Sequence, residues 1–226
     1  MFQGFSEATS QFLWGLALNN ERSWFEAHRE EYEKTLRQPF QALAKETEAI
    51  MNERFPEKEL SLHVARIYRD ARRLFGRGPY KDHLWFSLKS RNGLLCGPMF
   101  WFEIGAADYS YGVGFYSATP LQMDAFRKSV DANPAKLERL ANALSKLSKF
   151  RLDGDEYKRP KRNAGDLLDS WYNKKHLSLI FEDNFGGELF SKDLPQILAD
   201  AYTALMPYYD YFCSFDIPEL RREEER

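Results

Sequence analysis

The chain has 226 residues, enough for one large domain or two small ones. Hydrophobic residues make up 43% and aromatics 15%, which supplies a core and excludes a disordered chain. The formal net charge of −2 argues against broad, nonspecific nucleic-acid binding, which relies on many phosphate contacts.

Ser6 is positioned as an N-cap, followed by Phe12, Leu13 and Leu16 at helical spacing, with Asn19-Asn20 as the stop. A second helix is expected from about Glu21 to Arg37, with Trp24, Phe25, His28 and Tyr32 near one stripe. Pro39 is read as the start of a third, in which Phe40, Leu43, Thr47, Ile50 and Met51 recur, closed by Pro56. The period then changes. Leu62 to Tyr68 reads as a short strand, and Leu84, Phe86 and Leu88 alternate in the next. Arg91-Asn92-Gly93 is a turn, and Leu94–Gly105 and Tyr109–Ser117 are strands joined by Ala106-Ala107-Asp108. Connections this short require antiparallel pairing. Gly112 and Gly114 strip one face of the last strand, so something is expected to pack close there.

Helices return after Thr119-Pro120. Thr119 caps Leu121–Val130, and Leu137, Leu140, Leu144 and Leu147 share a side of the next. Residues 151–166 are polar and read as a long loop, Leu167–Lys175 as a short helix, and Leu177–Phe181 as a strand or an extended buried piece. The final helix is expected over Asp193–Phe212, kinked at Pro207. The sum is a single α+β domain over residues 1–218, with a central, mostly antiparallel sheet of about four strands flanked by N-terminal and C-terminal helices. Residues 219–226 are read as a frayed, charged tail.

Met1–Glu7 lacks the basic and apolar regions of a secretory signal. The longest apolar stretch, Leu94 to Ala107, contains Pro98 and Glu103 and falls short of the ~20 residues that span a bilayer. Two cysteines, Cys96 and Cys213, are too few for a disulfide scaffold. A cytoplasmic protein without a membrane anchor is the expectation.

The densest chemistry lies between Arg66 and Lys81. Arg66, Arg69, Arg72, Arg73, Arg77 and Lys81 stand against Asp70 alone, a local charge of +5 in a mildly acidic chain. Guanidinium groups bind phosphate or carboxylate through paired N–H donors. The expected function is therefore binding of a small anionic ligand, phosphorylated ligands included. Arg66, Arg69, Arg72 and Lys81 would hold the anion, Asp70 would orient them, and Tyr80 would supply a hydroxyl. In a fully extended strand Arg66 and Arg69 point to opposite faces, so convergence needs a bulge or a strand end near Tyr68. Lys158-Arg159 form a second cationic pair, either a lid over that pocket or a solvated patch. Glu103, inside an aromatic strand, needs a partner if it faces the core, and a motif arginine is the natural one. The alternative reading is a noncatalytic interaction protein, whose arginines form a structural network or dock an acidic partner. Nucleic-acid binding is the weakest reading.

Other chemistries lack support. His28, His63, His83 and His176 show no metal-ligand spacing. Gly76-Arg77-Gly78 is not a phosphate loop, and no Gly-x-Ser-x-Gly occurs. No cofactor, nucleophile or catalytic residue is implied.

The segment also resembles the pattern RxxRDxRFSxxKxPYK of a bacterial family of conserved hypothetical proteins, domain of unknown function 2461. Arg66, Arg69, Asp70, Arg72, Pro79, Tyr80 and Lys81 match. Arg73 stands where that pattern has Phe, Leu74 where it has Ser, and Arg77 where it has Lys. Asn19–Phe25 with His28-Arg29, and Tyr157–Pro160, are similar too, so the likeness runs over almost the full length. The resemblance implies a fold and no reaction.

Overall fold

The structure, a computed structural model, describes residues 1–70, 72, 74, 76–91 and 97–215. Arg73, Asn92-Gly93 of the expected turn, Leu94–Cys96 of the third expected strand and the tail at 219–226 lie outside these residues.

The fold is α+β. Its sheet has six strands rather than four, in the order β1-β2-β3-β4-β6-β5. These are β1 (Leu60–Val64), β2 (His83–Ser90), β3 (Met99–Gly105), β4 (Asp108–Gly114), β5 (Arg151–Asp153) and β6 (Ser178–Asn184). Phe115 N donates to Leu177 O at 3.0 Å and Phe185 N to Ala107 O at 2.8 Å, so β4 and β6 run in opposite directions. β5 pairs antiparallel with β6, Leu152 opposite Leu179. It emerges from the stretch expected to be loop: three residues carry no readable period, and only the partner strand makes them a strand.

By packing, the chain falls into two compact units. The first holds Met1–Leu88, Trp101–Tyr111 and Glu182–Thr203. In it, α1 (Glu7–Leu18) buries Phe12, Leu13 and Leu16, and α2 (Arg22–Ala27) buries Phe25. Leu84, Phe86 and Leu88 of β2 are all at most 2% exposed, as their alternation requires. Phe102 stacks on Phe86 at 5.6 Å and Phe40 meets Phe86 edge-on at 5.7 Å, an aromatic centre between sheet and helix.

The expected break at Pro39 does not occur. α3 (Arg29–Glu31) continues through a π-helical segment (Tyr32–Arg37) into α4 (Gln38–Arg54), with helical dihedrals at both joints. The cause is local. Pro39 has no N–H for the Thr35 carbonyl, and a proline ring inside a helix crowds the carbonyl four residues back. The turn widens, so that Gln38 N bonds to Glu33 O, five residues away. The Thr35 carbonyl receives its hydrogen bond from α1, where the buried Thr9 hydroxyl donates at 2.7 Å. The expected second helix also divides: α2 ends at His28, before α3 begins.

The second unit holds the described residues within 89–100, 112–181 and 204–226. It contains α5 (Pro120–Ala132), capped by Thr119, α6 (Pro134–Leu144) and the short α7 (Asp169–Tyr172). Phe115, Phe126, Tyr211, Phe212 and Phe215 form a ring cluster. The buried Arg127 donates to the carbonyls of Tyr172 and Lys174 and to Asp124, stapling the polar loop. At Gly114 (φ +156°) an added Cβ would fall on the Leu177 carbonyl, the close approach expected for this strand. The last helix, α8 (Leu194–Cys213), carries Pro207 inside it. No helix among the described residues is long and apolar enough to cross a membrane.

Two outcomes follow from these backbone constraints. Thr9→Val removes this hydrogen bond to the Thr35 carbonyl and is expected to lower stability by about 1 kcal/mol, read as a lower denaturant midpoint at an unchanged slope. Gly114→Ala is expected to cost more than Gly112→Ala in the same assay, because only the first position combines left-handed φ with backbone contact.

Candidate functional site

β1 ends at Val64, before the first motif arginine, and the chain then pairs with itself. Arg69 N donates to Pro79 O at 2.8 Å and Lys81 N to Ile67 O at 2.7 Å, around a bridge between Tyr68 and Tyr80. The residues between therefore form a loop closed at its base. Asn20, just before α2, clamps that base: its Nδ2 donates to Tyr80 O at 3.0 Å and its Oδ1 accepts from Tyr80 N at 2.9 Å. Gly78 gives Asn20 room, because a Cβ there would overlap the Asn20 side chain. Tyr80 is 2% exposed and stacks on Phe25 at 4.2 Å, so its ring anchors the loop in the core.

The sequence-predicted side chains divide into separate groups. Arg69 donates through Nε to Tyr80 O at 2.6 Å and through Nη2 to Asp82 at 3.3 Å. Arg72 forms a bidentate pair with Asp70, at 2.9 and 3.1 Å, and its backbone N–H also donates to Asp70. Asp70 thus accepts from both the side chain and the backbone of Arg72. Lys81 Nζ donates to the Arg66 carbonyl at 2.9 Å. Burial, then Arg69 and Arg66, hold its ammonium below the usual lysine range. Glu103 on β3 sits near His83, Asp108, Asp82 and Lys81, so the motif cation closest to it in charge is Lys81 rather than an arginine. Burial raises its carboxyl above the ordinary 4.5. Lys158 and Arg159 belong to the second unit, exposed on a loop that Tyr157 N ties to Asn173 O.

Arg66 faces a different setting, a cleft of about 400 Å³. Its deep lining is Phe40, Ala65, Ile67 and Leu84, all at most 7% exposed. Arg29, Tyr32, Glu33, Arg37, Gln41, Val64 and Tyr68 line the rest. Arg29 pairs with Glu26 at 2.6 Å and Arg37 with Glu33 at 2.7 Å. The Arg66 guanidinium makes no ion pair or side-chain hydrogen bond among the described residues. The π-helical turn builds this wall. In a regular α-helix residues five apart lie ~140° apart around the axis. The wider turn brings Tyr32 and Arg37 onto the same side. Burial pushes the Tyr32 phenol up to about 12, so at neutral pH it is a hydrogen-bond donor.

Sequence reading pointed to Arg66 and missed Arg29, Arg37, Tyr32 and Tyr68 as its neighbours. Arg29 lay in a stretch already matched with His28, which was the available signal. Arg37 carried none, because its direction depends on the π turn. Among the described residues no group of three or more His, Cys, Asp and Glu is arranged to hold a metal ion.

An α+β fold with a clamped cationic loop beside an arginine-lined cleft is the class these features define. The chain belongs to the family described as Conserved hypothetical protein (DUF2461), which matches residues 8–211. No curated protein matches it.

Asn20→Ala removes both clamps on Tyr80 and is expected to lower stability by about 2 kcal/mol and to speed amide exchange at Tyr80. Glu103 gives a pH signature. Its folded pKa lies above the unfolded 4.5, so the fold keeps a proton that the unfolded chain releases. Stability from this group falls as pH rises from 4.5 through the folded value. Glu103→Gln is therefore expected to raise the melting point at pH ~7 and to leave it unchanged at pH ~4, below both values.

Proposed function

We propose that this protein binds a small anionic ligand in the cleft at Arg66. The observation that carries the reading is an unpaired guanidinium beside two more, Arg29 and Arg37, over an apolar base. Guanidinium donors match carboxylate or phosphate oxygens in pairs, and a partly enclosed site strengthens that contact relative to bulk water. Binding rather than catalysis is proposed, since the cleft lining presents no activated nucleophile. A chain with two cysteines, of which Cys213 takes part in no disulfide, fits the reducing cytoplasm.

The alternative, a structural role for the motif, is favoured at other residues. Arg69 and Arg72 are already committed to Tyr80, Asp82 and Asp70. Arg69 closes the loop and Arg66 is left for a ligand. The distinction is measurable by thermal shift in sodium phosphate, sodium acetate and sodium 3-phenylpropanoate against chloride at equal ionic strength. Arg66→Ala is expected to erase the anion-dependent rise while leaving the melting point in chloride within ~1 °C. Arg69→Ala is expected to lower the melting point in every salt. No rise in the wild type, or one that survives Arg66→Ala, would sink the proposal.

A further inference from the structure

We infer that the ligand of this cleft is a singly charged carboxylate carried on an apolar body, an aryl or branched alkyl acid, rather than a bare inorganic anion or a phosphate ester. The inference rests on the anion-binding reading and adds two observations to it.

The first is the match between volume and lining. A free phosphate or acetate ion fills a small fraction of about 400 Å³. The rest of the wall is Phe40, Val64, Ala65, Ile67 and Leu84 together with the Gln41 amide; the five apolar side chains offer no hydrogen bond to an ion or its water. Clefts of this size with an apolar interior and a few polar groups near one end suit organic molecules, whose apolar part leaves water while the polar end is oriented. The Tyr32 and Tyr68 rings add flat faces next to the guanidiniums, and the Tyr32 phenol supplies a neutral donor.

The second is charge. Three guanidiniums meet the cleft, but Glu33 neutralises Arg37 within it and Glu26 neutralises Arg29 beside it. Within the lining the surplus is one positive charge, on Arg66; Lys81 lies behind it, bonded to the Arg66 carbonyl, and is not part of the lining. A monoanion balances that surplus. A dianionic phosphate ester would bring a second negative charge toward Glu33 and Glu26 with no further unpaired cation in the lining to receive it.

A calorimetric series on the full chain near neutral pH separates the outcomes, using acetate, 3-phenylpropanoate, 3-phenylpropanamide, phenyl phosphate and inorganic phosphate. The expected order places 3-phenylpropanoate at least tenfold tighter than acetate and tighter than phenyl phosphate, with Arg66→Ala removing the preference for the acid over its amide. Equal affinity for acetate, inorganic phosphate and 3-phenylpropanoate, all lost in Arg66→Ala, overturns the apolar body and leaves anion binding standing. Tighter binding of phenyl phosphate overturns the single-charge assignment. An amide that binds as well as the acid, or no binding by any probe, overturns both this inference and the anion reading. Arg66→Lys separates charge from fork geometry: it keeps the positive charge and is expected to retain part of the preference for the acid, whereas loss equal to Arg66→Ala in a variant with wild-type melting assigns recognition to the paired donors.

Discussion

At Pro39 a long helix loses an amide hydrogen, and the Thr35 carbonyl loses its donor. The chain resolves this by widening one stretch of helix and by bringing a buried hydroxyl from α1 to the orphaned oxygen. Neither half suffices alone. Without the wider turn the ring crowds the carbonyl, and without Thr9 the carbonyl loses a buried hydrogen bond worth about 1 kcal/mol. The consequence reaches the surface, because the same turn sets the directions of Tyr32 and Arg37 and so shapes one wall of the cleft.

The arginine-rich loop uses its charge in two ways. Arg69 donates to a carbonyl at the closed base of the loop, where Asn20 also bonds, so this guanidinium is a structural donor that remains partly wet. Arg72 is more exposed, and its pairing with Asp70 fixes a local turn rather than a core contact. Arg66 lies just beyond the end of β1, where the strand no longer dictates its direction, and only its backbone carbonyl is used, by Lys81. Density of like charge along a sequence is therefore a poor measure of charge at one point. Among the described residues the loop base distributes its cations over several acceptors and leaves the Arg66 guanidinium without one.

Those parts of the fold that depend on near neighbours in sequence were legible. Phe12, Leu13 and Leu16 mark the buried side of α1, and Leu84, Phe86 and Leu88 the buried side of β2, because apolar period and burial are the same fact. The close approach at Gly114 was readable from the missing side chain. Pro39 was not readable, since a proline opening a helix and a proline inside one leave the same mark, and the deciding group is Thr9, 26 residues from the carbonyl it serves. β5 was missed for a similar reason: Arg151–Asp153 is a strand only because β6 lies beside it. At the site, Arg66 was legible from charge density. Arg29 and Arg37 were not, because their place in the cleft is fixed by contacts between segments distant in the chain.

Lys81 reports on the field that remains after the pairing is done. Burial is the largest influence lowering its pKa, and Arg69 and Arg66 follow, with Glu103 acting the other way. Arg69 is itself paired with Asp82, whereas Arg66 has no ion pair among the described residues. At Lys81 itself the hydrogen bond to the Arg66 carbonyl holds the ammonium against that field. The Arg66 guanidinium shares the field, has no internal acceptor among the described residues, and opens onto the apolar cleft. Under the proposed function a carboxylate arriving there would gain an attraction that no described side chain of the loop provides, while its hydrocarbon part would cover surface that water solvates poorly.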